Sequence, residues 1–440
     1  MWTYHPQLLE QPVPRYTSYP TAAEFSDAVG PDEMCRALGL VGEQDRLSLY
    51  VHIPYCQEIC WYCGCNTGVA NRPQRLAHYL EALDQEIGLI AQRLGGRGQV
   101  SHIAFGGGSP NAIKPLDFVR LVDRLVTAFR ISRPIVSVEL DPRGFTDEWA
   151  QVLSLTGVNR VSLGVQSFSP AVQAAIGRVQ PTELIENCVA QLRGRGVDNI
   201  NFDLMYGLPG QDDAILLDTL SEAVRLKATT ISLFGYAHVP HLIPRQRRID
   251  ATALPDVRAR FDQAASGHAF LLEAGYVPVG FDHYALPGSP LALAQEDGTL
   301  RRNFQGFTAD PHDSLIGIGA TAISSFPGLL AQNEKNTGRY RMLVSAGRLP
   351  ASRGILRTPD DQRRGQVIEQ ILCFGRANIA PLGDTPGYRH LLEHHEALGL
   401  IHWEGDLLIL APQARPYART IAVVFDKWRQ TTTMQFSHAI

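Results

Sequence analysis

The chain has 440 residues, 45% hydrophobic and 19% charged, which is enough to bury a large core and excludes a disordered chain. Its formal net charge of -4 excludes the broad basic footprint of a nucleic-acid binder, so any anionic ligand must be met by local arginines. The longest apolar runs, "LLIL" (407–410) and "IAVVF" (421–425), are far too short to cross a bilayer, and "MWTYHPQLLEQPVPRYTSYP" lacks the order of a signal peptide. A soluble cytoplasmic protein with no membrane partner is therefore expected. Thiols stay reduced in that compartment, so an odd count of seven cysteines favours metal ligation over disulfides.

Residues 1–45 read as an N-terminal segment. Between about residues 47 and 240 one pattern recurs, a short apolar, β-branched run that ends in polar or glycine-rich residues and is followed by a stretch of helical period. The first run, "LSLYVHI" (47–53), leads into four cysteines, Cys56, Cys60, Cys63 and Cys65. Leu76, Tyr79, Leu80, Leu83, Ile87, Ile90 and Leu94 then mark one apolar helix face. "HIAF" (102–105) runs into "GGGSP", "VSVEL" (136–140) ends at Glu139, and "RVSLGV" (160–165) ends at Gln166. "NINFDLMYG" (199–207) carries Asp203, and "TISLFGY" (230–236) runs into "YAHVP". These units predict an α/β fold, a partial parallel barrel of about six strands, over residues 46–345. "YVPVGF" (276–281) is a further strand candidate. The active site of such a barrel gathers at the C-terminal ends of its strands, where these polar residues stand. Residues 346–440 read as a mainly helical C-terminal domain, with a hairpin around "EGD" and a helix over 414–428. The outline suggests a winged helix, but without a basic face it is read as a packing or lid domain.

Cys56, Cys60 and Cys63 form C-x3-C-x2-C. Three thiolates suit a cubane iron-sulfur cluster with one iron left open for chemistry, whereas four would make an electron carrier. A zinc site would need a second C-x2-C or a histidine pair at ribbon spacing, which Cys188 and Cys373 do not supply.

This spacing, with Tyr62 before the last cysteine and a triple glycine after the second strand, resembles the radical S-adenosylmethionine enzymes. "PRYTSYPTAAEF", "YVHIPYCQEICWYCGCNT", "VELDPR", "SLGVQSF", "FDLMYGLPGQ", "RNFQGFT" and the terminal "MQFSHAI" are similar to the oxygen-independent coproporphyrinogen III oxidases, over almost the whole chain and in order. The resemblance implies one 4Fe-4S cluster and one or two molecules of S-adenosylmethionine. The implied activity is oxidative decarboxylation of the ring A and B propionates of coproporphyrinogen III to vinyls. It also implies an external low-potential electron donor such as flavodoxin or ferredoxin, and a monomer.

Carried over by matching position, Tyr50, Gly107, Glu139 and Ile323 would contact the first S-adenosylmethionine. Tyr62, Gly108, Ser109, Gln166, Arg178, Asp203 and Ala237 would contact the second. Cys65 would be a catalytic residue near the site rather than a cluster ligand. Four propionates call for arginine, which grips a carboxylate through two parallel hydrogen bonds, and Arg15 and Arg302 are the candidates. Two rival readings are another radical porphyrin enzyme, a methyltransferase or haem-opening enzyme, and a haem-binding chaperone without decarboxylase activity. "HLLEH" (390–394) fits a metalloprotease pattern but reads as a solvated helix face, and "GIGATA" (317–322) reads as a loop near S-adenosylmethionine rather than a dinucleotide site. His52 reads as structural.

Overall fold

The computed structural model describes residues 2–430, so the terminal "MQFSHAI" lies outside the described residues. The six runs read from sequence form β1 (Arg46–Ile53), β2 (Gln99–Gly107), β3 (Ile135–Leu140), β4 (Val158–Gln166), β5 (Asn199–Tyr206) and β6 (Thr230–Gly235). They lie side by side in chain order, every neighbouring pair parallel. Alternation explains their two faces. Leu47, Leu49, Val51 and Ile53 on β1, and Ile200, Phe202 and Leu204 on β5, are wholly buried on the helix-covered face. The intervening residues are polar. Ser48, His102, Ser137, Ser162, Asn201 and Ser232, one from each strand, line a single cavity of about 460 Å³.

The sheet continues on both sides. β7 (Val277–Val279) and β8 (His283–Ala285) pair antiparallel beyond β6, β8 lying next to it. The "YVPVGF" run thus supplies an edge strand, turned back because its link to β8 is a short hairpin rather than a helical crossover. On the other side β9 (Ser314–Ile318) runs parallel to β1, followed antiparallel by β10 (Ile323–Phe326), β11 (Leu329–Asn333) and β12 (Ala351–Leu356). The result is a twelve-stranded, mostly parallel sheet whose edges, β12 and β7, do not pair with each other. It ends at Leu356, beyond the 345/346 break read from sequence.

The helix Pro73–Leu94 buries Tyr79, Leu83, Ile87, Ile90 and Leu94 on the face its periodicity marks. That face also carries a carboxylate. Glu86 is 1% exposed and accepts from Gly319 N–H at 2.7 Å, Tyr340 hydroxyl at 2.6 Å and Asn333 Nδ2 at 2.8 Å. Burial raises its pKa to about 7 against these donors.

In the C-terminal part, helices Pro359–Phe374 and Thr385–Ala397 accompany a three-stranded antiparallel sheet, including the expected hairpin of Ile401–Glu404 and Leu407–Leu410. The single helix expected over 414–428 is instead a series of short pieces, among them Pro412–Tyr417 and Ala418–Ala422. Pro416 lies in the first piece, where its missing N–H cannot continue a regular ladder.

The N-terminal segment bridges the two parts. Tyr16 hydroxyl donates to Asp426 Oδ2 at 2.9 Å, and Ser26 pairs with Gly354 on β12. Arg302 Nε and Nη2 donate to the carbonyls of Tyr16 at 3.2 Å and Arg15 at 3.1 Å. Among the described residues no helix is long and apolar enough to cross a membrane.

Candidate active site

The cysteine loop leaves β1 at the C-terminal end of the parallel strands. Cys56, Cys60, Cys63 and Cys65 are all free thiols, and all four line one cavity of about 420 Å³. Gly107, Gly108, Ser109, Glu139, Gln166, Asp203 and Ala237 line the same cavity, which places the ends of β2 to β6 around the thiols. Three free thiolates facing a cavity of this size fit a cubane cluster. The thiols are not drawn to one point: among the described residues no three His, Cys, Asp or Glu side chains are placed to hold a single metal ion.

The thiols differ in their surroundings. The Cys65 amide donates to Cys63 Sγ at 3.4 Å. The Cys65 thiol also bonds Cys63, which with that amide and the charges of Arg245 and Arg178 lowers the Cys63 pKa to about 6 against burial. Burial, reinforced by the neighbouring Cys63, pushes Cys56 up to about 12. Cys60 Sγ accepts from Arg143 Nη2 and Arg178 Nη1, each at 3.2 Å.

Both guanidiniums are held by Asp141. Arg143 reaches it through Nε at 3.0 Å and Nη2 at 2.6 Å, and Arg178 through Nη1 at 3.2 Å and Nη2 at 3.1 Å. Burial works to raise the Asp141 carboxyl, but Arg178 and Arg143 override it and hold it below the usual range. Arg178 also donates from Nε and Nη2 to the Gly164 carbonyl at 3.0 and 2.6 Å, so each of its nitrogens already faces a protein acceptor.

The triple glycine is dictated by packing on three sides. A Cβ on Gly106 would lie 2.5 Å from Glu139 Oε2, one on Gly107 2.3 Å from the His52 ring, and one on Gly108 2.4 Å from the Tyr55 carbonyl. Gly107, at φ +108, also donates its N–H to Glu139 Oε2 at 3.3 Å. Burial, followed by the charge of Asp203, raises Glu139 to about 7. Asp203 accepts from Ser162 Oγ at 2.9 Å and Asn201 Nδ2 at 2.8 Å, and burial raises its pKa. Ser109 Oγ bonds Asn111 and accepts from Asp141 N–H at 2.9 Å. Gln166 closes β4 at φ +68, beside a break in the β4–β5 register, a costly conformation for a residue with a Cβ.

Tyr50 and Ile323 stand together outside the cavity wall. Tyr50 pairs with Gly317 in the sheet, and a Cβ on Gly317 would lie 2.6 Å from the Ile323 carbonyl. The Tyr50 hydroxyl meets His52 Nδ1 at 3.2 Å, and burial lowers the His52 pKa to about 4. In "GIGATA" the N–H groups of Gly319 and Ala320 are taken by Glu86 at 2.7 Å and by the Tyr79 hydroxyl at 3.0 Å, and the segment leads into a strand. In "HLLEH", His390 pairs with Glu393 at 3.1 Å on an exposed helix face.

Arg15 lines the cavity and donates through Nη2 to the Gly235 carbonyl at 2.8 Å. Arg302 does not reach it. Its guanidinium stacks on Phe281 at 4.7 Å and Phe307 at 4.5 Å and holds the backbone of the N-terminal segment.

Sequence reasoning missed four residues of this site. Asp141 and Arg143 sit in the quoted "VELDPR", a signal used only for resemblance. Gln246 Nε2 ties the Tyr62 carbonyl, at 2.9 Å, to that of Ala237, at 3.1 Å. Arg245 donates to the Cys65 carbonyl at 3.1 Å and Thr67 Oγ1 at 3.2 Å. Nothing local in the sequence marks these last two.

Comparison with known proteins places the chain in context. Residues 50–223 match the radical SAM superfamily. An oxygen-independent coproporphyrinogen III oxidase from Bradyrhizobium diazoefficiens is 42% identical over 95% of both chains. One from Escherichia coli is 36% identical over 97% of this chain and 96% of its own. The solved structure of coproporphyrinogen III oxidase from Escherichia coli, a radical SAM enzyme, superimposes with a TM-score of 0.89 at 34% identity, covering 95% of this chain and all of that one.

Proposed function

The chain belongs to the oxygen-independent coproporphyrinogen III oxidase family of the radical SAM superfamily, and from that premise we propose how its own residues divide the work. The activity is oxidative decarboxylation of coproporphyrinogen III to protoporphyrinogen IX, at the propionates of rings A and B. The observation that carries the reading is the convergence of three free thiols with the polar ends of β2 to β6 on one cavity.

Cys56, Cys60 and Cys63 would hold three irons of a 4Fe-4S cluster. With S-adenosylmethionine bound, such a cluster would supply radical hydrogen abstraction. The protein's part is to bind, orient and exclude side reactions. Arg143 and Arg178, fixed by Asp141, direct positive charge at Cys60, where it offsets the charge an added electron brings. Glu139 and Gly107, with Tyr50 and Ile323 behind them, would receive the first S-adenosylmethionine. Tyr62, Gly108, Ser109, Gln166, Arg178, Asp203 and Ala237 would receive a second, with Arg178 exchanging one present acceptor for its carboxylate. Cys65, beside Cys63 yet outside the ligand triad, faces the reacting group. Arg15 grips a substrate carboxylate, and Arg302 fixes the backbone that presents it.

The strands β1 to β6 are read as a partial barrel round the polar cavity, whose lining is completed by residues between His283 and Leu315. We take the enzyme as a cytoplasmic monomer that draws its electron from a flavodoxin or ferredoxin. The test is anaerobic turnover of reduced, reconstituted protein with S-adenosylmethionine and coproporphyrinogen III, followed by mass spectrometry. Vinyl products with 5′-deoxyadenosine are expected. 5′-Deoxyadenosine beside untouched porphyrinogen would overturn the substrate assignment, and S-adenosylhomocysteine would point to methyl transfer instead.

A further inference from the structure

Next to the cysteine cavity, and sharing Arg15, Phe234 and Ala237 with it, lies a second cavity of about 60 Å³. Three arginines from distant parts of the chain converge there: Arg15 from the N-terminal segment, Arg260 from the helix Val257–Glu273, and Arg419 from the piece Ala418–Ala422. They meet at the C-terminal end of β6. Arg15 bonds the Gly235 carbonyl at 2.8 Å, and a Cβ on Gly235 would lie 3.2 Å from Arg260 Nη2 and 2.9 Å from the Tyr206 hydroxyl.

Against this positive charge the cavity offers, among the described residues, one carboxylate, Asp282, which is already bonded to His283 Nδ1 at 2.7 Å. Burial works to raise Asp282, but His283, Arg302 and Arg15 override it and hold it at about 2, so it stays ionised. Even so Arg260 is undercompensated. Burial, together with repulsion from Arg15, depresses the pKa of Arg260, and the same two causes bring Arg419 down to about 10. Among the described residues Arg260 Nε, buried, has no protein acceptor. A buried guanidinium left without an acceptor is costly, and an incoming anion removes that cost. The cavity has room for a carboxylate group and none for a tetrapyrrole.

We propose that this cavity is a carboxylate subsite in which Arg260, with Arg15 and Arg419, receives one propionate of the porphyrinogen while another is presented to the cysteine cavity next door. The inference rests on the functional reading above and deepens it. No bond changes at this subsite; it fixes the macrocycle at a point away from the reacting carbon, through charge-assisted hydrogen bonds.

The test compares wild type with Arg260→Gln, Arg260→Lys and Arg15→Gln, the last on an exposed side chain that the fold tolerates. The readout is fluorescence titration with coproporphyrin III, the stable tetracarboxylate, alongside a titration with S-adenosylmethionine. Arg260→Gln should weaken coproporphyrin binding by about tenfold or more, the scale of a lost hydrogen bond to a charged group. Arg260→Lys should recover part of the loss and Arg15→Gln should weaken binding several-fold. The KM for coproporphyrinogen III should rise in parallel, while S-adenosylmethionine binding and iron content stay unchanged. Unchanged porphyrin affinity in Arg15→Gln and in the folded Arg260 variants would overturn the subsite, as would a loss confined to S-adenosylmethionine. Wild type that neither binds coproporphyrin III nor turns over its porphyrinogen would overturn the functional reading, and the subsite with it.

Discussion

Arg143 Nη2 donates to Cys60 Sγ at 3.2 Å while Asp141 grips the same guanidinium. A thiolate on a cluster carries more negative charge after reduction, so this donor favours the reduced state. Arg143→Leu should therefore lower the cluster's midpoint potential. A differential effect of about 1 kcal/mol corresponds to about 40 mV for one electron. A redox titration followed by EPR checks this, and a potential that stays put or rises would rule out the contact as a tuning device.

Cys65 can be separated from the three proposed ligands, Cys56, Cys60 and Cys63, by metal content. Serine at Cys56, Cys60 or Cys63 should each abolish the cluster's absorption and the activity. Cys65→Ser should keep the full iron complement and the uncoupled yield of 5′-deoxyadenosine while losing vinyl formation. Iron loss in Cys65→Ser would make it a ligand.

Gly106 faces Glu139 at a distance no side chain tolerates, 2.5 Å from a would-be Cβ to Oε2. Gly106→Ala should displace the Glu139 carboxylate and weaken S-adenosylmethionine binding by about tenfold, with the cluster retained. Equilibrium binding to the reconstituted variant measures it; unaltered affinity would show that Glu139 is not a contact.

Glu86 titrates in a way that stability can report. Its folded pKa, raised to about 7 by burial, lies above the unfolded value near 4.5, so the folded state binds the extra proton. Its contribution to stability is thus fully present below about pH 4.5 and declines as pH rises towards about 7. The Tm of wild type relative to Glu86→Gln should fall between about pH 5 and about pH 8, and a flat difference would mean that the carboxyl keeps an ordinary pKa. Glu86→Leu, which strands three donors, should cost on the order of 3 kcal/mol or more at any pH.

What could be read from sequence was local. Cys56, Cys60 and Cys63 declare themselves by spacing, Glu139 and Gln166 by standing at the ends of periodic runs, and Asp203 as an acid within one, because a parallel strand leads its C-terminal part to the site. Partners joined only by folding were not legible. Arg260 and Arg419 lie in helical stretches where periodicity speaks of burial and says nothing of which distant arginine shares the pocket. Arg302 looked like a free cation, and only the packed structure shows it stacked on Phe281 and Phe307. The antiparallel strands β8, β10 and β11 are too short to carry a pattern, and Pro416 was outweighed by the apolar residues around it.

The hydrogen bond from Tyr16 to Asp426 joins positions 410 residues apart in the sequence. Every residue assigned to the cofactors lies between Tyr50 and Ile323, so that part of the protein is synthesised before the stretch that carries Asp426. Arg15 and Arg419 come together only when that last stretch arrives. Holding the cluster and seating the macrocycle are thus proposed to draw on different stretches of the sequence, the first on residues 50–323 alone and the second also on Arg15 and Arg419.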